Sequence, residues 1–223
     1  MKNNFTWTIL SCLVVIVMSV SLYVNKMTTK VALNNEQLKD LGLYLIEPAR
    51  NLGSYRLTDT NQNEFQIKDF EGKWNVLFFG FTFCPDICPI TMSMLSSLEK
   101  EMSQEELDRI RIFMVTVDPE RDTPQHLKKY LENFSKNFTG LTGGLDQIYN
   151  FATRVNAPFN PVSNSPDPYY TVDHTGSLVL VDPSGHYAGF FRAPHDQEKI
   201  KKALSELLLR GSEVLWESKK MYL

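Results

Sequence analysis

The chain has 223 residues, 43% of them hydrophobic and 22% charged, with a formal net charge of −3 and a pI near 5.8. That balance supplies apolar surface for a packed core and excludes a disordered chain. The slight acidity removes the attraction to phosphate backbones on which non-specific nucleic-acid binding rests, so no nucleic-acid partner is expected.

Residues 1–7 form a short flank. From Thr8 to Val24 the chain reads TILSCLVVIVMSVSLYV without a charge, near the lower length limit for a helix that crosses a bilayer. A single transmembrane signal-anchor over residues 8–24 is expected, because VNKM follows where the small-residue pattern of a cleaved signal peptide would stand. Cys12 precedes most of the apolar run, which argues against lipid attachment there. Lys2 and the amino terminus nearly balance Lys26 and Lys30, so the positive-inside bias leaves the orientation open.

Residues 25–51 are polar and weakly patterned and read as a tether to one domain spanning residues 52–212. Within it, Tyr55 to Ile67 carries short β-type pieces around TDTNQNE, which predicts a hairpin. WNVLFFGFTF from Trp74 to Phe83 is nearly continuous in apolar and aromatic residues, the pattern of a strand buried on both faces. A helix over Ile90 to Met102, with Met94, Leu95 and Leu98 on one face, leads to a second buried strand from Arg111 to Val117. Helical spacing recurs at Leu127, Tyr130, Leu131 and Phe134, from Ile148 to Val155, and at Ile200, Ala203, Leu204, Leu207 and Leu208. SLVLV and HYAGFF flank the turn Asp182 to Gly185 and predict another hairpin, and residues 213–223 read as a tail. Strands alternating with covering helices imply an α/β architecture.

Two thiols stand at the end of the first buried strand, in Cys84-Pro-Asp-Ile-Cys88-Pro. In a helix or turn, positions i and i+4 share a side, and a helix N-terminus there would favour thiolate over thiol. Two convergent thiolates make a soft-metal site, and an added imidazole makes a set suited to copper in either oxidation state. Of the four histidines, His174 in Asp173-His174-Thr175-Gly176 is the best candidate, since it immediately precedes SLVLV and can face the cysteine loop. His126, His186 and His195 read as surface residues. Spacing alone equally allows a structural disulfide between Cys84 and Cys88.

Three blocks, FFGFTFCPDICP (Phe78 to Pro89), VTVDPERDTP (Val115 to Pro124) and TVDHTGSLVLVDPSG (Thr171 to Gly185), resemble in order and spacing the Sco/SenC family of copper proteins. The resemblance covers about residues 52–210. It implies a thioredoxin-like fold, a central mixed sheet flanked by helices with an N-terminal β-hairpin extension, behind a single N-terminal membrane anchor. It also implies one copper ion, Cu(I) or Cu(II), held by Cys84, Cys88 and His174, with Asp118 close to the site at a strand end and able to influence partner docking. Asp173 could orient His174, since metal-bound imidazoles usually have their other nitrogen hydrogen-bonded.

The implied role is assembly of the binuclear copper A centre of cytochrome c oxidase. The implied partners are the subunit bearing that centre and an upstream copper donor or thiol reductant. A bacterial inner membrane with the domain in the periplasm is favoured over a mitochondrial inner membrane facing the intermembrane space, because an Arg-rich transit segment is missing. A metallochaperone is not expected to be an enzyme. The rivals are a thiol-disulfide oxidoreductase using Cys84 and Cys88 as a redox pair, a copper or redox sensor, and, with least support, a peroxidase. Three residues between the cysteines, rather than two, weigh against the oxidoreductase.

Overall fold

The computed structural model describes Trp7, residues 13–21 and residues 33–221. Of the expected membrane anchor, residues 8–12 and 22–24 lie outside the described residues. Residues 13–21 are helical with exposed side chains, and among the described residues no helix is long and apolar enough to cross a membrane.

The remainder, from Asn34 onward, is a separate compact unit. Its elements are α1 (Asn35–Asp40), β1 (Leu43–Asn51), β2 (Arg56–Asp59), β3 (Glu64–Gln66), a 3-10 turn (Ile67–Phe70), β4 (Trp74–Gly80), α2 (Ile87–Glu101), α3 (Gln104–Leu107), β5 (Ile110–Thr116), α4 (Pro124–Leu131), β6 (Thr139–Thr142), α5 (Leu145–Arg154), β7 (Leu178–Val181), β8 (His186–Phe191) and α6 (Gln197–Met221). The strands form one mixed sheet in the order β1-β8-β7-β4-β5-β6-β2-β3.

β4 lies at the centre because all of its residues after Trp74 are buried, which only a strand covered on both faces tolerates. It pairs in parallel with β5 and antiparallel with β7. The parallel pair requires a crossover, which α2 and α3 supply. α2 turns Cys88, Met92, Leu95 and Leu98 inward, so the buried stripe runs through Met92, and Met94 stands half-buried beside it. Beyond β5, Thr123 caps α4 by accepting from the His126 amide, with Pro124 in the first turn, where its missing N–H costs nothing.

The hairpin expected between Tyr55 and Ile67 forms as β2 and β3, and that at Asp182–Gly185 as β7 and β8. The stretch expected as tether is corrected in part: residues 35–40 form α1 and residues 43–51 form β1, which closes one edge of the sheet on β8. Pro48 is tolerated because the β1–β8 register shifts between Leu45 and Arg50, where no ladder hydrogen bond is demanded of it. A Cβ on Gly189 of β8 would meet the Tyr44 carbonyl oxygen of β1, so only glycine permits this approach of the two strands. Residues 213–221, expected as tail, continue the helix α6.

Candidate metal centre

The sheet's topology builds the site. β4 ends at Gly80 and hands over through residues 81–86 to α2, which carries Cys88 in its first turn. β7 runs antiparallel to β4, with Phe78 opposite Leu178. The residues just before Leu178 therefore lie beside those just after Phe78, and this places His174 against the cysteine loop. The Cys88 Sγ and His174 Nε2 are 3.5 Å apart, and ligand atoms of Cys84, Cys88 and His174 all lie within 4.8 Å of one another. Both cysteines are free thiols, Cys88 buried and Cys84 partly exposed.

The imidazole is oriented by its backbone. His174 Nδ1 lies 3.0 Å from the Thr175 carbonyl oxygen and must donate to it, which leaves Nε2 as a lone pair facing the thiols. Phe78 and Phe81 meet the ring edge-on at 5.9 and 5.8 Å, fixing its plane. An isolated bridge to Phe159 holds the segment, as does the Asn160 amide donating to the Asp173 carbonyl at 2.9 Å. The Asp173 carboxylate instead accepts from Asn160 Nδ2 at 3.4 Å. The expected orientation of His174 by Asp173 is therefore replaced by that of the Thr175 carbonyl.

Electrostatics correct one further expectation. Burial pushes the Cys88 thiol well above its ordinary range, the Phe81 backbone opposes this, and the neighbouring Cys84 adds to it. Burial therefore favours the protonated Cys88 thiol over its thiolate. A soft cation must displace that proton. Burial also lowers the pKa of His174, against the opposing pull of its backbone partners, so the imidazole is neutral and its lone pair available. Two sulfurs and one neutral imidazole nitrogen fit a copper ion and exclude a hard cation, which takes oxygen ligands.

A second layer lies under the cysteine loop, and its signal was the acidic and basic run in VTVDPERDTP. β5 parallels β4, so this run emerges at the same end of the sheet. Asp122, fully buried, accepts from the Thr82 amide at 3.0 Å, the Thr82 hydroxyl at 2.5 Å and the Thr116 hydroxyl at 2.6 Å. Asp118 is 1% exposed; it pairs with Arg121 and accepts from the Tyr170 hydroxyl at 2.7 Å. It thus shapes the loop from beneath and cannot itself meet a partner. The Arg121 guanidinium lies 3.6 Å from the Tyr170 ring centroid and 4.7 Å from that of Phe83, clamping the residue before Cys84. Phe83, next to Cys84, remains 49% exposed and Ile87, which faces Gly176, 37%, giving the mouth of the site an apolar rim.

The other histidines divide. His186 is partly exposed, 3.8 Å from Asp182. His126 packs edge-on against Phe83 at 5.2 Å. His195, expected at the surface, is instead partly buried and bonded to the Gly176 carbonyl at 2.7 Å.

With this geometry established, comparison with known proteins places the chain. The SCO1/SenC family model matches residues 45–209. This chain belongs to the SCO1/SenC family. A Stutzerimonas stutzeri protein whose name describes it as copper-binding is 36% identical over 174 residues, covering 78% of this chain and 85% of that protein. An SCO2-like protein of Rickettsia felis is 33% identical over 153 residues, 68% of this chain and 74% of the relative. Among solved structures, yeast Sco1 with copper bound superposes with a TM-score of 0.65 at 32% identity, covering 71% of this chain and 88% of that one. Bradyrhizobium japonicum ScoI with copper bound gives 0.61 at 33% identity, over 69% and 96% of the two chains. The thioredoxin-like α/β fold with a mixed sheet is therefore shared across these SCO1/SenC structures.

Proposed function

We propose that this chain is a copper-binding assembly factor for the binuclear copper A centre of cytochrome c oxidase, holding one copper ion through Cys84, Cys88 and His174. The observation that carries the reading is the convergence of two thiols and a neutral imidazole within 4.8 Å at the end of the central strand. Copper is cargo here. It passes to the receiving subunit by exchange of thiolate ligands, one at a time, with that subunit's cysteines, and the partly exposed Cys84 is the donor positioned to let go first. The apolar rim of Phe83 and Ile87 gives a partner something to cover while the metal is shielded from water. The names of the copper-binding relative and of the copper-bound structures support the metal. The client, an upstream copper donor or thiol reductant, anchoring by residues 8–24 and a periplasmic location are part of the same proposal, with a mitochondrial intermembrane-space setting as the alternative location.

The test is copper stoichiometry under anaerobic, reducing conditions for the wild type beside Cys84→Ser, Cys88→Ser and His174→Ala. One Cu(I) per chain, lost or weakened at least tenfold in each variant, is expected. Unaltered binding by His174→Ala would sink the three-donor site.

One observation favours a second reading. The asymmetry of the pair, Cys84 less buried than Cys88, suits thiol-disulfide exchange. The Cys84 thiolate would attack a disulfide of the oxidase subunit, forming a mixed disulfide and expelling one partner thiolate. Cys88 would then displace the second, leaving a Cys84–Cys88 disulfide and a dithiol partner, two electrons having passed. This reading expects His174→Ala to keep its reductase activity, while the copper reading expects the variant to lose assembly of the copper A centre.

A further inference from the structure

His195 stands outside the three-donor cluster, between β8 and α6. Its Nε2 is 2.7 Å from the Gly176 carbonyl oxygen. A carbonyl only accepts, so the ring carries its hydrogen on Nε2, and Nδ1 is the bare nitrogen. That Nδ1 is buried without a partner. A histidine that leaves one nitrogen unsatisfied to make one short bond with the other is held there by that bond, since an unpaired buried acceptor is otherwise costly.

The bond falls at a telling place. Gly176 follows Thr175, whose carbonyl oxygen accepts from His174 Nδ1 at 3.0 Å and thereby aims His174 Nε2 at the cysteines. The Gly176 carbonyl belongs to the next peptide plane, joined at the Gly176 Cα to the plane that carries the Thr175 carbonyl, so pinning it restrains the turn that orients His174. Space is equally confined. A Cβ on Gly176 would lie 2.7 Å from Ile87 Cδ1, next to Cys88, and 3.3 Å from Ala193 Cβ, two residues before His195. The Thr175 hydroxyl, which accepts from the Ser177 amide at 3.3 Å, completes the turn.

We propose that His195 is a positioning residue for His174: its Nε2–H, donated to the Gly176 carbonyl, holds the Thr175–Gly176 turn in the orientation that points the His174 lone pair at Cys84 and Cys88. The inference rests on the three-donor reading above. Partners that orient a metal-bound imidazole typically contribute 10- to 100-fold in metal affinity, and His195, acting one peptide further out, is expected at about tenfold.

The experiment compares the wild-type full-length chain with His195→Asn, His195→Gln and His174→Ala. The glutamine amide nitrogen can reach where the histidine Nε2 stands, while the asparagine amide reaches only the position of Nδ1. Cu(II) affinity by competition, the electron paramagnetic resonance spectrum of bound Cu(II) and the thermal midpoint of the metal-free protein are measured. His195→Asn is expected to bind Cu(II) about tenfold more weakly with an altered spectrum, and His195→Gln to recover most of both, at similar thermal midpoints. Wild-type affinity and spectrum in His195→Asn, or equal impairment in His195→Gln, overturns the proposal. A wild type that binds no copper, or a His174→Ala variant that binds like wild type, overturns the underlying site instead. Independently of any variant, nitrogen NMR of the metal-free wild type is expected to show His195 as the Nε2–H tautomer, and the Nδ1–H tautomer would refute the bond on which the proposal stands.

Discussion

Replacing Asp122 with alanine is expected to lower the unfolding free energy by about 2–4 kcal/mol and to loosen the loop that carries Cys84. The carboxylate accepts three hydrogen bonds, from the amide and hydroxyl of Thr82 and from the hydroxyl of Thr116. Thr116 is fully buried, and its hydroxyl already accepts from the Asp118 amide at 3.0 Å. Without Asp122 its hydrogen has nowhere to go, at about 1–3 kcal/mol for a stranded buried donor. Thr82 is only partly buried, so water replaces its lost bonds at a smaller net loss of roughly 0.5–1.5 kcal/mol. The total stays below the sum of three charge-assisted bonds because alanine also removes the cost of burying a carboxylate. That cost is visible in the Asp122 pKa, which burial raises despite the Thr116 and Thr82 bonds. Such a loss is a large part of the roughly 5–15 kcal/mol that holds a domain together. Urea unfolding of the metal-free protein measures the stability, and Cu(I) competition measures the loop, with about tenfold weaker binding expected if freeing Thr82 costs the site about 1.4 kcal/mol of organisation. A change under about 0.5 kcal/mol with unaltered copper affinity would mean that this buried network does not hold the cysteine loop.

Three other outcomes follow from the same neighbourhood. Because burial raises the folded-state pKa of Asp122, its protonated form is favoured in the fold: the stability it contributes is full below the ordinary carboxylate range and is lost as pH rises through the raised value. Urea midpoints of wild type and Asp122→Asn, a mimic of the protonated form, should therefore diverge in favour of the variant across that window; parallel pH curves would contradict it. Arg121→Ala strands the buried Asp118 carboxylate and should destabilise by about 3–5 kcal/mol in urea unfolding, and a loss under about 1 kcal/mol would show that the Tyr170 hydroxyl alone suffices. In Gly80→Ala the new Cβ would stand 2.7 Å from Phe78 Cε1 and 2.8 Å from Cys88 Sγ. The overpacking should cost about 1–3 kcal/mol in thermal or urea unfolding and displace a thiol, weakening Cu(I) binding in the same preparation.

Local pattern made the centre of the sheet legible. The run from Trp74 and that from Arg111 are so uniformly apolar that only central strands accept them, and both are found side by side. The turn Asp182–Gly185 announced its hairpin because proline and glycine punctuate β-rich arms whose partners are local. β1 escaped notice for the opposite reason: its partner β8 lies about 140 positions away, and Pro48 interrupts a strand that tolerates it only at a register shift. β6 escaped as well, four residues whose burial comes from β5 and β2 on either side. Met94 and Met92 show a finer limit, since helical spacing defines a stripe but the neighbouring sheet chooses its angle.

At the site, the sequence alone determined the donor types and their order, two cysteines at the end of a buried strand and a histidine at the start of another. Chemistry resides in residue identity, and the blocks around those residues carry the family resemblance. What only the tertiary structure decided is which groups meet and in what state. The antiparallel register of β4 and β7 brings His174 to Cys88. Depth of burial, invisible to spacing, pushes the Cys88 thiol up against the opposing Phe81 backbone. The Thr175 carbonyl rather than Asp173 aims the imidazole, and His195 is drawn in from the expected surface to the Gly176 carbonyl. Distances between residues far apart in sequence, and the desolvation they produce, arise only when the chain closes on itself.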